Sequence, residues 1–245
     1  MVTQLPPSTK QDIIYPSSDG QPMADNTKQF QLIVLIKENS ELLFADNPNV
    51  FVAGDLLWYS VEGDDGNCKA PDIMIVFGRP KGHRSSYLQW QEDNIPPQVV
   101  FEIKSPGNKT KDMIAKYKFY ERYGVEEYYL YDPDNIELTG WLRSGDELVE
   151  IEEMRGWVSP RMGIRFELSS GELEIYRPDG QKFLSYLELE QQRQLLQQQV
   201  EDAEARVEDA EARAEDAEAR AEDAEAQLQV LRDLLQQRGI NPEQL

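Results

Sequence analysis

From Phe183 to Arg238 the chain contains neither glycine nor proline, so a stretch of more than fifty residues has no helix breaker. Leu189, Leu196, Val200, Ala203, Val207, Ala210, Ala214, Ala217, Ala221, Ala224, Leu228, Leu231 and Leu235 recur almost entirely at alternating steps of three and four. That spacing is the heptad rule of a supercoiled helix. The unit EDAEAR repeats from Glu201, and Asp202–Arg206, Asp209–Arg213 and Asp216–Arg220 are favourable i,i+4 pairs. An alanine seam buries little area, so any association along it is close and weak. The alternative is a solvated single helix held by alanine propensity.

The rest of the chain has a different character. Residues 1–22 are polar and proline-bearing and read as an N-terminal arm. Thr27–Leu43 has helical spacing, Val50–Val52 and Leu56–Val61 read as short strands, and 62–69 reads as a turn. Ile73–Phe77 and Val99–Ile103 are apolar runs of buried-strand type, separated by a long polar loop over 78–97. A helix over Lys109–Tyr123, stopped by Gly124, leads to a third strand, Glu127–Tyr131. Glu137–Leu142, Glu147–Ile151, Ile164–Leu168 and Leu173–Tyr176 follow as short strands between turns. The expected class is α/β, a mixed sheet flanked by helices. The expected division is an arm (1–22), a globular domain (23–182), the acidic helix (183–238) and a flexible end (239–245).

Composition removes several chemistries. Cys68 is the single cysteine and His83 the single histidine of 245 residues. A cysteine-based zinc site, an internal disulfide and a Ser-His-Asp triad are therefore not expected, and His83 reads as a surface residue. No run is long enough to span a bilayer, and the N-terminus lacks the pattern of a secretory signal, so the expected location is cytoplasmic with no membrane partner. Net charge is −21, of which residues 201–227 carry −9. The remainder opposes nonspecific attraction to nucleic acid, although Lys104, Lys109, Lys111, Lys116, Lys118 and Arg122 are concentrated in one segment. These are either a basic patch or ordinary helix-surface residues.

Asp72 opens one apolar run, and Glu102-Ile103-Lys104 closes the other. Residues i and i+2 of a strand share a face, so Glu102 and Lys104 are expected to point the same way. Two carboxylates and an ammonium meeting at a sheet edge suit a Mg²⁺ or Mn²⁺ ion and hydrolysis of a phosphodiester. In this reading Asp72 and Glu102 bind the metal, the Ile103 carbonyl adds a third oxygen, and Lys104 positions water or stabilises charge. A Glu102–Lys104 salt bridge closing the strand would give the same spacing. The tyrosines at 117, 120, 123, 128, 129 and 131 read mainly as core, not as a base-stacking surface.

The segment VVFEIKSPGNKTKDMIAKYKFYERYGVEEYYLYDP (99–133), with GQPMADNTKQ (20–29), APDIMIVFG (70–78) and SSYLQWQEDNIPP (85–97), closely resembles the Uma2 family of restriction-endonuclease-like proteins. The likeness spans roughly residues 14–190, and the helical tail resembles extensions frequent in that family. It implies a PD-(D/E)xK nuclease core, a divalent metal and DNA as substrate, with metal-ligand roles for Asp72 and Glu102. Many relatives carry an apolar residue at the position of Lys104. Lys116 and Tyr120 match the family's helical K…Y pair and are expected in supporting roles; in members that lack the strand lysine, the helix lysine is the substitute for it. Asp112 matches an acidic residue at the helix start, where it either orients Lys116 or favours the helix N-terminus, and Ser105 and Thr110 also fit the pattern. Gln29 stands where many relatives have histidine; it can hold a water or phosphate but cannot act as a base. Ser105 is read as a strand-end hydrogen-bonding residue. The competing expectation is a non-catalytic protein of this fold that binds or regulates, its C-terminal helix recruiting a partner or dimerising; an oligomer through the core is also open.

Overall fold

The computed structural model describes residues 13–168 and 171–239, so most of the expected N-terminal arm and all but one residue of the expected flexible end lie outside the described residues. The chain divides into two compact units between Leu184 and Ser185.

The first unit is built on a six-stranded mixed sheet. Its elements in chain order are α1 (Thr27–Leu43), β1 (Val50–Gly54), β2 (Trp58–Tyr59), β3 (Cys68–Lys69), β4 (Ile73–Phe77), β5 (Tyr87–Leu88), β6 (Val99–Ile103), α2 (Thr110–Tyr123), β7 (Glu127–Asp132), β8 (Glu137–Ser144), β9 (Glu147–Glu150), β10 (Arg165–Glu167) and β11 (Glu174–Tyr176). The strand order is β1-β4-β6-β7-β8-β9. The β6–β7 pair is parallel and its neighbours on either side are antiparallel. A parallel pair needs a crossover, and α2 supplies it.

Alternation along the central strands gives the sheet two apolar faces. Ile73, Ile75, Val99, Phe101, Ile103, Tyr129 and Tyr131 pack with Ile33 and Ile36 of α1 and with Phe166 and Ile175 of the β10–β11 hairpin. Met74, Val76, Val100 and Tyr128 pack on the other face with Phe119 and Tyr120 of α2 and with Trp58. Tyr120, Tyr128, Tyr129 and Tyr131 are therefore buried core residues, as their spacing suggests.

The helices have local causes. Asn26 caps α1 by accepting the Gln29 amide at 2.9 Å. Gly124 ends α2 in the left-handed conformation at φ +94°, its amide returning to the Tyr120 carbonyl.

Three expectations change, the first being that 62–69, expected as a turn, ends in the two-residue strand β3, which pairs antiparallel with β2. Leu56–Val61 contributes only the two-residue strand β2, and residues 78–97 are more ordered than a long loop. That segment contains β5, which pairs in parallel with β2. Arg79 and Arg84 both bond Glu92, at 2.8 and 2.6 Å through their Nε atoms, and the Arg84 guanidinium sits 4.0 Å over the Phe51 ring.

The second unit contains α3 (Tyr186–Gln237), entered through a capping box in which Ser185 and Glu188 satisfy each other's backbone amides. No helix among the described residues is long and apolar enough to cross a membrane.

Gly124→Ala places a Cβ 3.2 Å from the Pro96 ring in a conformation that L-residues avoid. A loss of about 1–2 kcal/mol is expected. A urea midpoint unchanged from the parent would refute this account of the α2 stop.

Candidate active site

The β4–β6 register creates the centre of the site. Ile73 pairs with Phe101, so one further step sets Asp72 opposite Glu102, on the face shared by Met74 and Val100. Directly opposed residues of antiparallel strands have Cβ atoms roughly 5 Å apart. Asp72 Oδ2 accepts the Ile103 amide at 2.7 Å, which extends the pairing of the two strands by a side chain. Both carboxylates are buried, with 7 % of Asp72 and 2 % of Glu102 exposed.

The crossover helix brings the remaining groups. Lys116 and Tyr120 lie one turn apart on the inward side of α2. Tyr120 Oη donates to Glu102 Oε1 at 2.5 Å. Lys116 Nζ donates to Glu102 Oε2 at 2.6 Å and to the Ala70 carbonyl at 3.1 Å. Burial, and after it the charge of Glu102, raise the Asp72 carboxyl to about 7. Burial works against the Lys116 charge, but Glu102 and Asp72 outweigh it and hold the ammonium above its ordinary range. Asp55 adds to this acidic surrounding: its amide donates to the Pro71 and Asp72 carbonyls. Its own carboxyl is raised by burial first and then by the charge of Asp19.

Several residues singled out in the sequence are placed elsewhere. Lys104 lies just beyond β6 and bonds Asp132 at 2.5 Å, on the neighbouring strand, not the Asp72–Glu102 pair. Asp132 also accepts from Asn135 and from the Asp134 and Asn135 amides. Burial opposes its ionisation, but these donors, Lys104 foremost, hold it at about 2. The Ile103 carbonyl, expected as a third metal oxygen, accepts Gln29 Nε2 at 2.9 Å. Gln29 in turn accepts the Asp25 amide at 2.8 Å, so its amide group ties α1 to the end of β6.

Asp112 is exposed in the first turn of α2, where its charge suits the helix N-terminus, and Lys116 is oriented by Glu102 and Ala70. His83 is exposed. Ser105 is buried, and its hydroxyl donates to Asp25. Lys109, Lys111, Lys118 and Arg122 are exposed along α2, whereas Lys116 turns inward.

Asp25 and Asp55 escaped the sequence reading, because nothing in ADN or GD distinguishes a strap or a charged neighbour from an ordinary cap or turn. Gly107 carries a signal: a Cβ there would lie 2.8 Å from Asp25 Oδ2, so a larger residue would push the Asp25 carboxylate aside.

Two opposed carboxylates sharing one ammonium fit a hard divalent ion that keeps most of its water, since such an ion needs only one or two protein carboxylates. The proton affinity of Asp72 comes first from burial and then from the Glu102 charge, and added positive charge would offset both. The fit extends to these two side chains alone: among the described residues no group of three or more Asp, Glu, His or Cys is arranged to hold a metal.

The raised Asp72 carboxyl has a consequence for stability. Between its ordinary value of 3.8 and about 7, the folded chain holds a proton that the unfolded chain has released. This contribution to stability therefore falls as pH rises through that window and is level above it. In metal-free buffer, Asp72→Asn is expected to flatten the fall and to be more stable than the parent at pH 8, by roughly 1–4 kcal/mol. Parallel denaturation curves across this range for parent and variant would contradict the assignment.

One solved structure, described as a "putative nuclease belonging to DUF820 from Anabaena variabilis ATCC 29413", is similar at 16 % identity, covering 55 % of this chain and 72 % of that chain, with a TM-score of 0.42. No curated protein matches. The sequence model of the Uma2 family, described as "Putative restriction endonuclease", matches residues 4–169, which include α1, the whole six-stranded sheet and the crossover helix α2. The chain belongs to the Uma2 family.

Proposed function

We propose that the first unit is a divalent-metal-dependent endonuclease acting on DNA phosphodiester bonds, with its site at Asp72, Glu102 and Lys116. The observation that carries this reading is the convergence of two strand carboxylates with one helix lysine, Lys116 Nζ lying 2.6 Å from Glu102. Asp72 and Glu102 would hold Mg²⁺ or Mn²⁺. When bound, such an ion supplies a more acidic water and neutralises charge on the phosphoryl oxygens. Tyr120 holds one oxygen of Glu102 and fixes the rotamer of the carboxylate. Lys116 is the ammonium best placed to stabilise developing charge beside the carboxylates. We therefore give it the lysine role expected of Lys104, whose charge is engaged by Asp132. The exposed cations of α2 suit a phosphate backbone despite the acidic chain.

A second reading also has specific support: a nuclease-fold protein that binds or regulates without catalysis. Both Glu102 oxygens already have donors, the Ile103 carbonyl is engaged by Gln29, and no third acidic ligand joins the pair among the described residues. On these closed contacts alone the binding reading is the better supported, and hydrolysis requires Lys116 to yield one oxygen of Glu102.

Calorimetric Mn²⁺ titration combined with DNA cleavage separates the two. Under the hydrolase reading, Mn²⁺ binds the intact chain and Asp72→Ala abolishes that binding. Lys116→Met then lowers cleavage by roughly a hundredfold or more while Lys104→Met changes it little. DNA retention without cleavage under any divalent metal, unaffected by Asp72→Ala, would replace the hydrolase by the binding protein.

A further inference from the structure

The 52 residues of α3 include no buried side chain, although an apolar seam runs along it from Leu196 to Leu235. Leu228 and Leu231 are 58 % and 60 % exposed. With Val200 at heptad position a and Ala203 at d, the following a/d pairs are Val207/Ala210, Ala214/Ala217, Ala221/Ala224 and Leu228/Leu231. An exposed seam alone does not name its occupant. The charges beside it do.

On one flank, position e, stand Glu204, Glu211, Glu218 and Glu225; on the other, position g, stand Arg206, Arg213 and Arg220. In a parallel two-stranded coiled coil, each g residue faces the e residue five positions later on the other helix. Arg206 would then face the partner's Glu211, Arg213 the partner's Glu218, and Arg220 the partner's Glu225. The same contacts recur with the helices exchanged, so the complementarity is of the helix with itself. An antiparallel pair would instead set g against g and e against e, arginine facing arginine and glutamate facing glutamate.

We propose that α3 is the interface of a parallel, in-register coiled-coil homodimer, its occupant a second copy of this chain. The inference goes beyond the function proposed above and stands whether or not the first unit cleaves DNA. Register follows from seam size. Leucine and valine flank a run of alanines, so an in-register pair sets large against large and lets the alanine stretch approach closely. A one-heptad slip would leave leucine opposite alanine at the ends of that run. The remaining acidic residues between 201 and 225, such as Glu208 and Asp209, fall at b and c, away from the seam. Two of these, Asp209 and Asp216, bond Arg213 and Arg220 at 2.9 and 2.6 Å within the helix. Both arginine side chains remain 79 % exposed. Arg193, bonded to Glu190 at 2.8 Å, interrupts the seam at an a position. Pairing is therefore expected to be firmest from Val200 onward.

The test uses the full chain. Sedimentation equilibrium is expected to give a dimer. Reversing one flank (Arg206→Glu, Arg213→Glu and Arg220→Glu together) is expected to raise the dimer dissociation constant by roughly tenfold or more without loss of helix by circular dichroism. Mixing that variant with one carrying Glu211→Arg, Glu218→Arg and Glu225→Arg is expected to restore pairing as a heterodimer. In a Cys68→Ser background, Leu231→Cys is expected to form an intermolecular disulfide, which only a parallel pair allows near the C-terminal end of the helix. A monomer throughout the accessible concentration range overturns the proposal. So does a dimer indifferent to flank reversal, or one in which Leu231→Cys fails to cross-link.

Discussion

The candidate site depends on one pairing, the antiparallel register of β4 with β6. It opposes Asp72 and Glu102 on a face already committed to the apolar core, where both carboxylates are buried. The resulting repulsion in a poorly hydrated place is what the rest of the site answers. Tyr120 and Lys116 donate to Glu102, and Asp72 takes the Ile103 amide and retains its proton to about 7. An isolated buried charge would be expensive. Here two acids share one ammonium, so the site is compensated but remains receptive to further positive charge.

Much of this geometry was legible in the sequence, because the central strands are short apolar runs and α2 has helical spacing between a Pro-Gly turn and Gly124. Alternation placed Glu102 and Lys104 on one face, and strand geometry says no more than that. It cannot say which of two acidic neighbours a lysine just past the strand end will choose. The parallel partner β7 brings Asp132 within reach of Lys104, and Asp132-Pro133 reads in the sequence only as the end of a strand. The helix lysine, by contrast, is sent inward by the crossover that a parallel pair requires. Family likeness suggested Lys116, and packing accounts for its position.

The parts missed in sequence are those with distant or minimal partners. β5 is two residues long and pairs with a strand some thirty positions earlier, so no periodicity could reveal it. The order of residues 78–97 comes from two arginines converging on Glu92, a contact that composition cannot distinguish from surface charge. Gln29 looked like a weakened replacement for a polar group near the chemistry. Its carboxamide instead joins the entrance of α1 to the last carbonyl of β6.

That junction divides responsibility for the site between distant parts of the chain. Asp25 receives the hydroxyl of Ser105, eighty positions away, while Gln29 grips Ile103. The bend leading from β6 into α2 is consequently anchored from the opposite side of the sheet. A change in the few residues ahead of α1 would act as a remote adjustment of where the lysine-bearing helix begins, altering the lysine's reach without touching either acid.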